Sequence, residues 1–361
     1  MKKLNSVIGK IEKIDGVLIQ ETQKRLDNLT KPQGSLGRLE ELAKKIVGIT
    51  GNPHPPLQKK VIFTLAGDHG VAQEGVSAFP QEVTPQMVYN FIAGGAAINV
   101  LARQAGARVV VVDMGVASKI EVNNTDLTGF KEMKVAYGTK NMLLGAAMSR
   151  EEAIKSIENG IQVLEDELAK GIDIVGTGDM GIANTTASSA IAAVITGRPV
   201  EYLTGRGTGI DDKAFLRKIS VIKQAIALNR PNPRDPIDVL AKVGGFEIGG
   251  LTGIILAAAS RRIPVVIDGF ISAAGMLLAC QLDPKVKDYL IAGHCSVEKG
   301  HKIILDYLGL TPLLELDLRL GEGTGAALAM HLVEAAVRIL TEMATFQSAG
   351  VSEKTEKVEI G

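Results

Sequence analysis

Apolar residues near the start of the chain recur with the spacing of an amphipathic helix. Residues 3–28 carry them about every three to four positions, which predicts one helix over that range. A turn at 31–37 precedes a second stretch of this kind, centred on 39–47, which predicts another helix. The prolines at 52–56 end this part of the chain and are typical of a linker.

Six short runs rich in β-branched residues come next, each followed by a polar, glycine-rich turn and usually by a helical stretch. The runs span residues 61–65, 109–112, 172–175, 265–267, 289–291 and 313–318. Strands that alternate with helices predict a parallel sheet with right-handed crossovers. Because ligands of such sheets bind beyond the carboxyl ends of the strands, we expect the six turns to converge on one edge.

The composition restricts the class of protein and its partners. Apolar residues make up 46% of the 361 residues, only 4% are aromatic and 40 are glycine, a mixture that suits helices packed on a parallel sheet. Forty basic residues balance forty acidic ones, so no overall charge attracts nucleic acid or anionic lipid. No uninterrupted apolar window reaches the ~18 residues of a membrane span, and the first nine residues lack the apolar core of a secretory signal.

Cysteine and histidine usage argues against disulfide or zinc sites. Cys280 and Cys295 form no C-x-x-C pair, which favours a reducing cytoplasm. His69, His294 and His301 are the histidines that we considered as metal ligands, and none has a third ligand at suitable spacing. We therefore expect a cytoplasmic protein without a metal site.

Three glycine-rich turns offer backbone N–H groups to an anion. They are GTGDMG at 176–181, GRGTG at 205–209 and GEGTG at 321–325. Each alone is equally well interpreted as a tight turn that needs positive φ or close packing. Together, at strand ends and near threonines and lysines, they predict a phosphate site.

The turn at 176–181 also matches the G-x-G-x-x-G pattern of dinucleotide-binding proteins, which leaves an NAD-dependent oxidoreductase as an alternative. That pattern needs an acidic residue after a second strand, and Glu201, at the right distance, has no apolar strand before it. A P-loop is absent from the sequence. Asp211 and Asp212, the nearest acidic pair for a diphosphate-bound Mg²⁺, are interpreted as a helix N-cap pair.

Five longer motifs carry a resemblance to a known family, in order and from about residue 31 to residue 330. They are KPQGSLGRLE (31–40), AGDHGVAQEGVSAFPQEVTPQMVYNFIAGGAAINVLAR (66–103), GTGDMGIANTT (176–186), GFEIGGLTG (245–253) and LDLRLGEGTGAALAM (316–330). The chain resembles the nicotinate-nucleotide–dimethylbenzimidazole phosphoribosyltransferases of cobamide biosynthesis. The resemblance implies that ribose 5-phosphate passes from nicotinate mononucleotide to 5,6-dimethylbenzimidazole or a related base, in a metal-free reaction that needs no cofactor.

The resemblance also implies an architecture. The family has a Rossmann-like α/β domain with a parallel, about six-stranded sheet, here expected over 59–335. A smaller helical domain, expected over 1–58 and 336–361, is built from both chain ends. The sequence also predicts a helix at 328–343, and its second half would belong to this smaller domain. The polar tail from 350 is expected to fray. The family enzyme is a homodimer.

Two acidic residues are the catalytic candidates. The glutamate of the family's L-G-E-G motif is its general base and corresponds to Glu322, which would accept a proton from the incoming base. A helix dipole would make Glu322 a weaker base and burial a stronger one, and both outcomes stay open. Family members commonly have Glu in a G-E-M-G turn where this chain has Asp179. The side chain of Asp179 is one methylene shorter than that glutamate. Asp179 is either a ligand-contacting acid with a shorter reach or simply a turn residue.

The remaining site residues also follow from the resemblance. For the donor phosphate it implies Gly181, Gly207, Thr208, Lys218 and Ser296, although Lys218 taken alone is more typical of the solvated face of a helix over 213–228. A pocket for the flat base is expected within AFPQEVTPQM. Its lining residues would be Ser77, Phe79, Gln86 and Met87.

Two questions about function stay open at this point. A non-catalytic sensor with the same fold would bind nicotinate mononucleotide but release no nicotinate when a base is supplied. Within the transferase hypothesis, the acceptor is a benzimidazole, a purine or a phenol, and the sequence does not choose among them.

Overall fold

The computed structural model describes residues 1–122 and 129–352, so most of the predicted polar tail lies outside the described residues. The chain divides into two compact units. The larger comprises Met1–Lys13 and Leu57–Met330, and the smaller comprises Ile14–Pro56 and the residues from His331.

Helices make up most of the smaller unit and nearly half of the larger one. In chain order the α-helices are α1 (Lys2–Ile8), α2 (Gly16–Asp27), α3 (Arg38–Thr50), α4 (Val83–Ala93), α5 (Ala97–Ala105), α6 (Arg150–Glu167), α7 (Asn184–Thr196), α8 (Val200–Leu203), α9 (Asp212–Asn229), α10 (Pro236–Val243), α11 (Phe246–Ser260), α12 (Phe270–Leu282), α13 (Lys299–Leu308), α14 (Thr324–Glu342) and α15 (Phe346–Ala349).

The larger unit is built on one parallel sheet. Its strands are β1 (Lys60–Gly67), β2 (Ala107–Gly115), β3 (Phe130–Glu132), β4 (Ile174–Met180), β5 (Val265–Ile267) and β6 (Leu290–Ala292).

The sheet has six strands in the order β3-β2-β1-β4-β5-β6, and every pairing is parallel. β1, β4, β5 and β6 are buried almost throughout, as strands covered by helices on both faces must be. The predicted α/β fold with a six-stranded parallel sheet is confirmed. The strand order reverses between β1 and β4, which is where such sheets form their ligand crevice.

One of the six predicted strands is wrong. Residues 313–318 form no strand, and Leu314 makes only an isolated parallel bridge with His294. Acidic residues alternate with leucines there. The segment makes four backbone hydrogen bonds with residues 292–297, only the first of which reaches β6 itself, from the Leu313 N–H to the carbonyl oxygen of Ala292. The sixth strand is β3 instead, a three-residue edge strand too short to stand out in the sequence.

The predicted helix over residues 3–28 is in fact two helices. α1 ends at Ile8, and α2 begins after Asp15, whose carboxylate accepts hydrogen bonds from the N–H groups of Val17 and Leu18. This N-cap stops the helix from continuing backwards. α1 packs against α6 and α11, so residues 1–13 join the larger unit and not the helical one expected from the sequence.

The smaller unit combines residues 14–56 with the C-terminal segment. Arg25 of α2 donates to the carbonyl oxygen of Leu340 at 2.7 Å, and the Phe346 N–H donates to the carbonyl oxygen of Asn28 at 3.0 Å. These hydrogen bonds link α2 and the residue after it to the C-terminal segment. Within residues 1–122 and 129–352, α14 is the one helix long and apolar enough to cross a membrane, but 56% of that window is buried. A helix in a protein core passes the same test, so α14 is weak evidence for a membrane span.

Candidate active site

A cavity of about 670 Å³ opens at the carboxyl edge of the sheet, within the larger unit. Parts of the segments 76–87, 179–185, 207–208, 269–271, 294–298 and 317–322 line it. These include the turns that follow β4, β5 and β6, as the parallel sheet predicted. The cavity therefore brings together residues from distant parts of the sequence.

Glu322 lies in this cavity at the point where the strand order reverses. Its carbonyl oxygen accepts a hydrogen bond of 2.8 Å from the Thr64 hydroxyl of β1, and its N–H donates to the carbonyl oxygen of Asp179 in β4. Its φ is +65°, a left-handed conformation that residues other than glycine seldom adopt. The two strands thus hold Glu322 in a strained backbone conformation, as is common at functional sites.

The environment of the Glu322 side chain decides between the opposing effects foreseen from the sequence. The residue precedes α14, and its Oε2 accepts from the Ile98 N–H at the start of α5. Burial raises the pKa of the Glu322 carboxyl, and Asp268 raises it further, although the Ile98 N–H opposes both. Burial wins, so Glu322 is a stronger base than an exposed glutamate.

Asp179 is the second carboxyl group of the cavity and is only 4% exposed. Burial raises its pKa well above the ordinary value, and the carboxylates of Asp268, Glu247 and Glu322 add to the rise. Its Oδ2 accepts from the Asn184 side chain at 3.0 Å, while Oδ1 has no hydrogen-bond partner among the described residues. Burial and the neighbouring carboxylates therefore favour the protonated form of Asp179 more than water would.

Asp268, which we did not single out from the sequence, anchors the loop that carries Glu322. Its carboxylate accepts from the N–H groups of Gly323, Gly325 and Ala326, at the start of α14, where a negative charge is favoured. Asp268 directly follows β5. An acidic residue placed right after a buried strand was the available signal.

The glycines at 176–181 do not form a dinucleotide-binding turn. β4 runs through Met180, so Gly176 and Gly178 lie inside a paired strand and not in the turn that the pattern requires. A Cβ on Gly178 would lie 2.3 Å from the Glu322 carbonyl oxygen, and one on Gly181 would lie 2.1 Å from the Gly67 carbonyl oxygen. Close backbone packing explains these glycines, and the oxidoreductase interpretation is not supported.

Lys218 is fully buried, so its interpretation as a solvated residue is wrong. It shares the buried face of α9 with Val221, Ile222 and Ala225, at the spacing of an apolar helix face. Its ammonium group donates to the Thr185 hydroxyl at 2.6 Å. Lys218 does not itself line the cavity, but Thr185 and Gly207 beside it do.

The other residues predicted for the phosphate belong to the cavity. Gly181, Gly207, Thr208 and Ser296 all line the cavity. The Ser296 N–H donates to His301 Nδ1 at 3.0 Å, and burial lowers the pKa of His301 to about 3, so the neutral ring fixes the serine.

The segment predicted to hold the base contributes three of the four expected residues. Ser77, Phe79 and Met87 line the cavity, but Gln86 does not. Met87 lies one helical turn after Val83, another lining residue, on the same face of α4, and Gln86 is exposed. Phe79 is 54% exposed, which leaves its ring free to stack on a flat ligand.

Asp211 and the histidines that the sequence offered as metal ligands lie beside other protein groups. Asp211 caps α9 by accepting from the Ala214 N–H, as predicted. His69 Nε2 lies 2.7 Å from Glu247 Oε1 in a buried pair, and His294 Nε2 lies 3.5 Å from Asp268 Oδ1. Within residues 1–122 and 129–352, no group of three His, Cys, Asp or Glu is placed to hold a metal ion.

Comparisons with known proteins agree with one another. A phosphoribosyltransferase family profile matches residues 11–351. The nicotinate-nucleotide–dimethylbenzimidazole phosphoribosyltransferase of Geobacter sulfurreducens is 58% identical over 98% of this chain and 99% of its own, and that of Desulforudis audaxviator is 57% identical with the same coverage. The crystal structure of CobT from Thermus thermophilus matches with a TM-score of 0.89 and 45% identity, over 94% of this chain and all of that one.

Proposed function

The chain belongs to the nicotinate-nucleotide–dimethylbenzimidazole phosphoribosyltransferase family, and we propose that its cavity performs the family's reaction with Glu322 as the general base. The reaction moves ribose 5-phosphate from nicotinate mononucleotide to 5,6-dimethylbenzimidazole or a related base in cobalamin biosynthesis. The observation that carries the proposal is the buried Glu322 carboxyl, held where the strand order reverses and with a raised pKa.

The chemistry asks for one proton acceptor. The nicotinate nitrogen becomes neutral as its bond to C1′ breaks, so the donor supplies its own leaving group. One ring nitrogen of the base forms the new bond to C1′ from the opposite face and the other nitrogen loses its proton. Glu322 Oε2 accepts a hydrogen bond from the Ile98 N–H, which leaves the second oxygen, Oε1, to accept this proton.

Asp179 supports the reaction as a neutral acid. It lines the cavity together with Glu322 and contacts the ribose or the incoming base, and its proton reduces repulsion with the Glu322 carboxylate. Asp179 Oδ2 lies close to the backbone at Gly321, next to the general base. A longer glutamate at this position would reach further into the cavity, so Asp179 also bears on which base fits.

We expect Lys218→Ala to raise the KM for nicotinate mononucleotide by roughly ten- to a hundredfold, because a charged hydrogen-bonding group beside the phosphate is lost. The KM for the base should change little. Steady-state kinetics with each substrate varied in turn measures both. Lys223→Ala is the matched control, since Lys223 is on the same helix but pairs with Glu201 at the surface. An unaltered donor KM in Lys218→Ala would remove Lys218 from the phosphate site.

The function itself is tested by following nicotinate release. The protein is mixed with nicotinate mononucleotide and a benzimidazole, adenine or a phenol in turn, with a chelator and no added Mg²⁺. We expect release that depends on the base. Donor binding without release would instead support a sensor, and release only after Mg²⁺ is added would contradict the metal-free reaction.

The proposal includes a homodimer that acts in the cytoplasm. The family resemblance supports the homodimer. The two free cysteines, one buried and one partly exposed, are consistent with a reducing compartment.

A further inference from the structure

Glu298 is a cavity residue to which the reaction above gives no role. It is only 7% exposed and lines the cavity next to Ser296. Its Oε1 accepts a hydrogen bond of 2.9 Å from the Gly207 N–H, while its Oε2 is buried with no hydrogen-bond partner among the described residues. Burial of a carboxylate costs folding free energy unless hydrogen bonds or a nearby opposite charge compensate for the lost hydration.

The turn at 205–209 is shaped around this carboxylate. A Cβ on Gly205 would lie 2.0 Å from Glu298 Oε2, so any larger residue would displace the side chain. Gly207 has a φ of +52°, and a Cβ there would lie 2.9 Å from the Thr185 hydroxyl and 3.3 Å from Lys218 Nζ. Glu298 therefore fixes the backbone that sits against Thr185 and Lys218.

Glu298 also acts on the charge of Lys218 and on the position of Ser296. Burial lowers the pKa of Lys218 to about 8, and the Glu298 carboxylate is the charged group that opposes this fall. Thr185, the other polar neighbour, is neutral. The Glu298 N–H in turn donates to the Ser296 hydroxyl at 3.2 Å. Glu298 thus acts on three of the residues proposed for the phosphate: it accepts a hydrogen bond from Gly207, donates one to Ser296 and favours the charged form of Lys218.

We propose that Glu298 is the positioning residue of the phosphate site, holding the Gly207 turn and the Lys218 ammonium group ready for the donor. This inference rests on the proposed function. The opposite effect is repulsion between the carboxylate and the phosphate, which would weaken donor binding. The hydrogen bond to Gly207 and the electrostatic attraction of the Glu298 carboxylate for Lys218 outweigh this repulsion, because without them a buried lysine loses its proton more readily and a glycine-rich turn loses its anchor.

The experiment compares Glu298→Gln and Glu298→Ala with the wild type, measuring the donor KM from neutral to alkaline pH. Glu298→Ala should raise the donor KM about tenfold or more at all pH values, since both the anchor and the charge are lost. Glu298→Gln keeps an acceptor for the Gly207 N–H but not the charge. Lys218 should therefore lose its proton at a lower pH, and donor binding should weaken at lower pH than in the wild type.

Controls separate positioning from folding and from the function itself. Glu201→Gln removes a carboxylate that pairs at the surface with Lys223, which lies on α9 like Lys218. This variant should leave the KM values for the donor and the base unchanged. Thermal unfolding verifies that Glu298→Gln is folded. Glu298→Gln with an unchanged pH dependence, or with a lower donor KM than the wild type, would overturn the inference. Failure of the wild type to release nicotinate would instead overturn the proposed function.

Discussion

Replacing Glu322 by glutamine is expected to lower kcat by about 10²- to 10⁴-fold, the usual contribution of a general base. Glutamine has the same shape and still offers an oxygen to the Ile98 N–H, but it cannot take a proton from the incoming base. Steady-state rates of nicotinate release at saturating donor and base measure the effect. Glu315→Gln, an exposed change in the same segment, is the matched control and should keep the wild-type kcat.

The pH dependence gives a second measure of the same group. Wild-type kcat should fall as pH is lowered through the raised pKa of Glu322, because the protonated carboxyl is no longer a base. Glu322→Gln should lack this fall. A glutamine variant with wild-type kcat would remove Glu322 from the role of base.

Stability should change in the opposite direction from activity. The folded-state pKa of Glu322 lies above its unfolded value, so the stabilising contribution of this group is present below the unfolded pKa and is lost as pH rises through the folded pKa. Above the folded-state pKa the ionised, buried carboxylate therefore costs stability. We expect the free energy of unfolding of Glu322→Gln at neutral pH to equal or exceed that of the wild type, which excludes unfolding as the cause of its lost activity.

Gly178→Ala should lower kcat by roughly 100-fold although residue 178 carries no reactive group. The added Cβ would lie 2.3 Å from the Glu322 carbonyl oxygen and 2.6 Å from the Gly323 nitrogen, and backbone atoms cannot rotate away as a side chain can. The loop that carries Glu322 must then move off β4, and a shift of about 1 Å at a catalytic group costs about that factor in rate. Overpacking should also cost about 1–3 kcal/mol of unfolding free energy.

Denaturant unfolding and nicotinate release, measured on the same preparation, test this variant. Gly145→Ala is the control, because a Cβ there meets no atom within 4 Å, and it should leave both quantities unchanged. Wild-type kcat in Gly178→Ala would show that close packing of β4 against this loop does not position the general base.

The sequence predicted the sheet and the general base well because both have local signals. β-branched runs followed by polar glycine turns located five of the six strands, and the family motif located Glu322. It missed β3, which is short and lies at the edge of the sheet. It also joined α1 and α2, since the N-cap at Asp15 interrupts an otherwise continuous apolar period.

The errors at the site have a common physical cause, which is contact between residues far apart in the sequence. Gly178 resembles part of a nucleotide-binding turn until the Glu322 carbonyl oxygen is found against it. Glu298 has no local signal, because Gly207, which donates a hydrogen bond to it, and Lys218, whose charge it favours, belong to other segments. Lys218 was within reach of sequence reasoning, since its spacing to Val221, Ile222 and Ala225 places it on the apolar face of α9.

The most direct measurement of the central claim is a crystal structure of the protein with dimethylbenzimidazole and ribose 5-phosphate, a donor mimic that lacks the leaving group. We expect a Glu322 carboxylate oxygen within roughly 2.6–3.2 Å of the ring nitrogen that carries the proton, with the other ring nitrogen facing C1′ of the ribose. A base bound in the cavity with Glu322 turned away from both ring nitrogens would contradict its role as the general base.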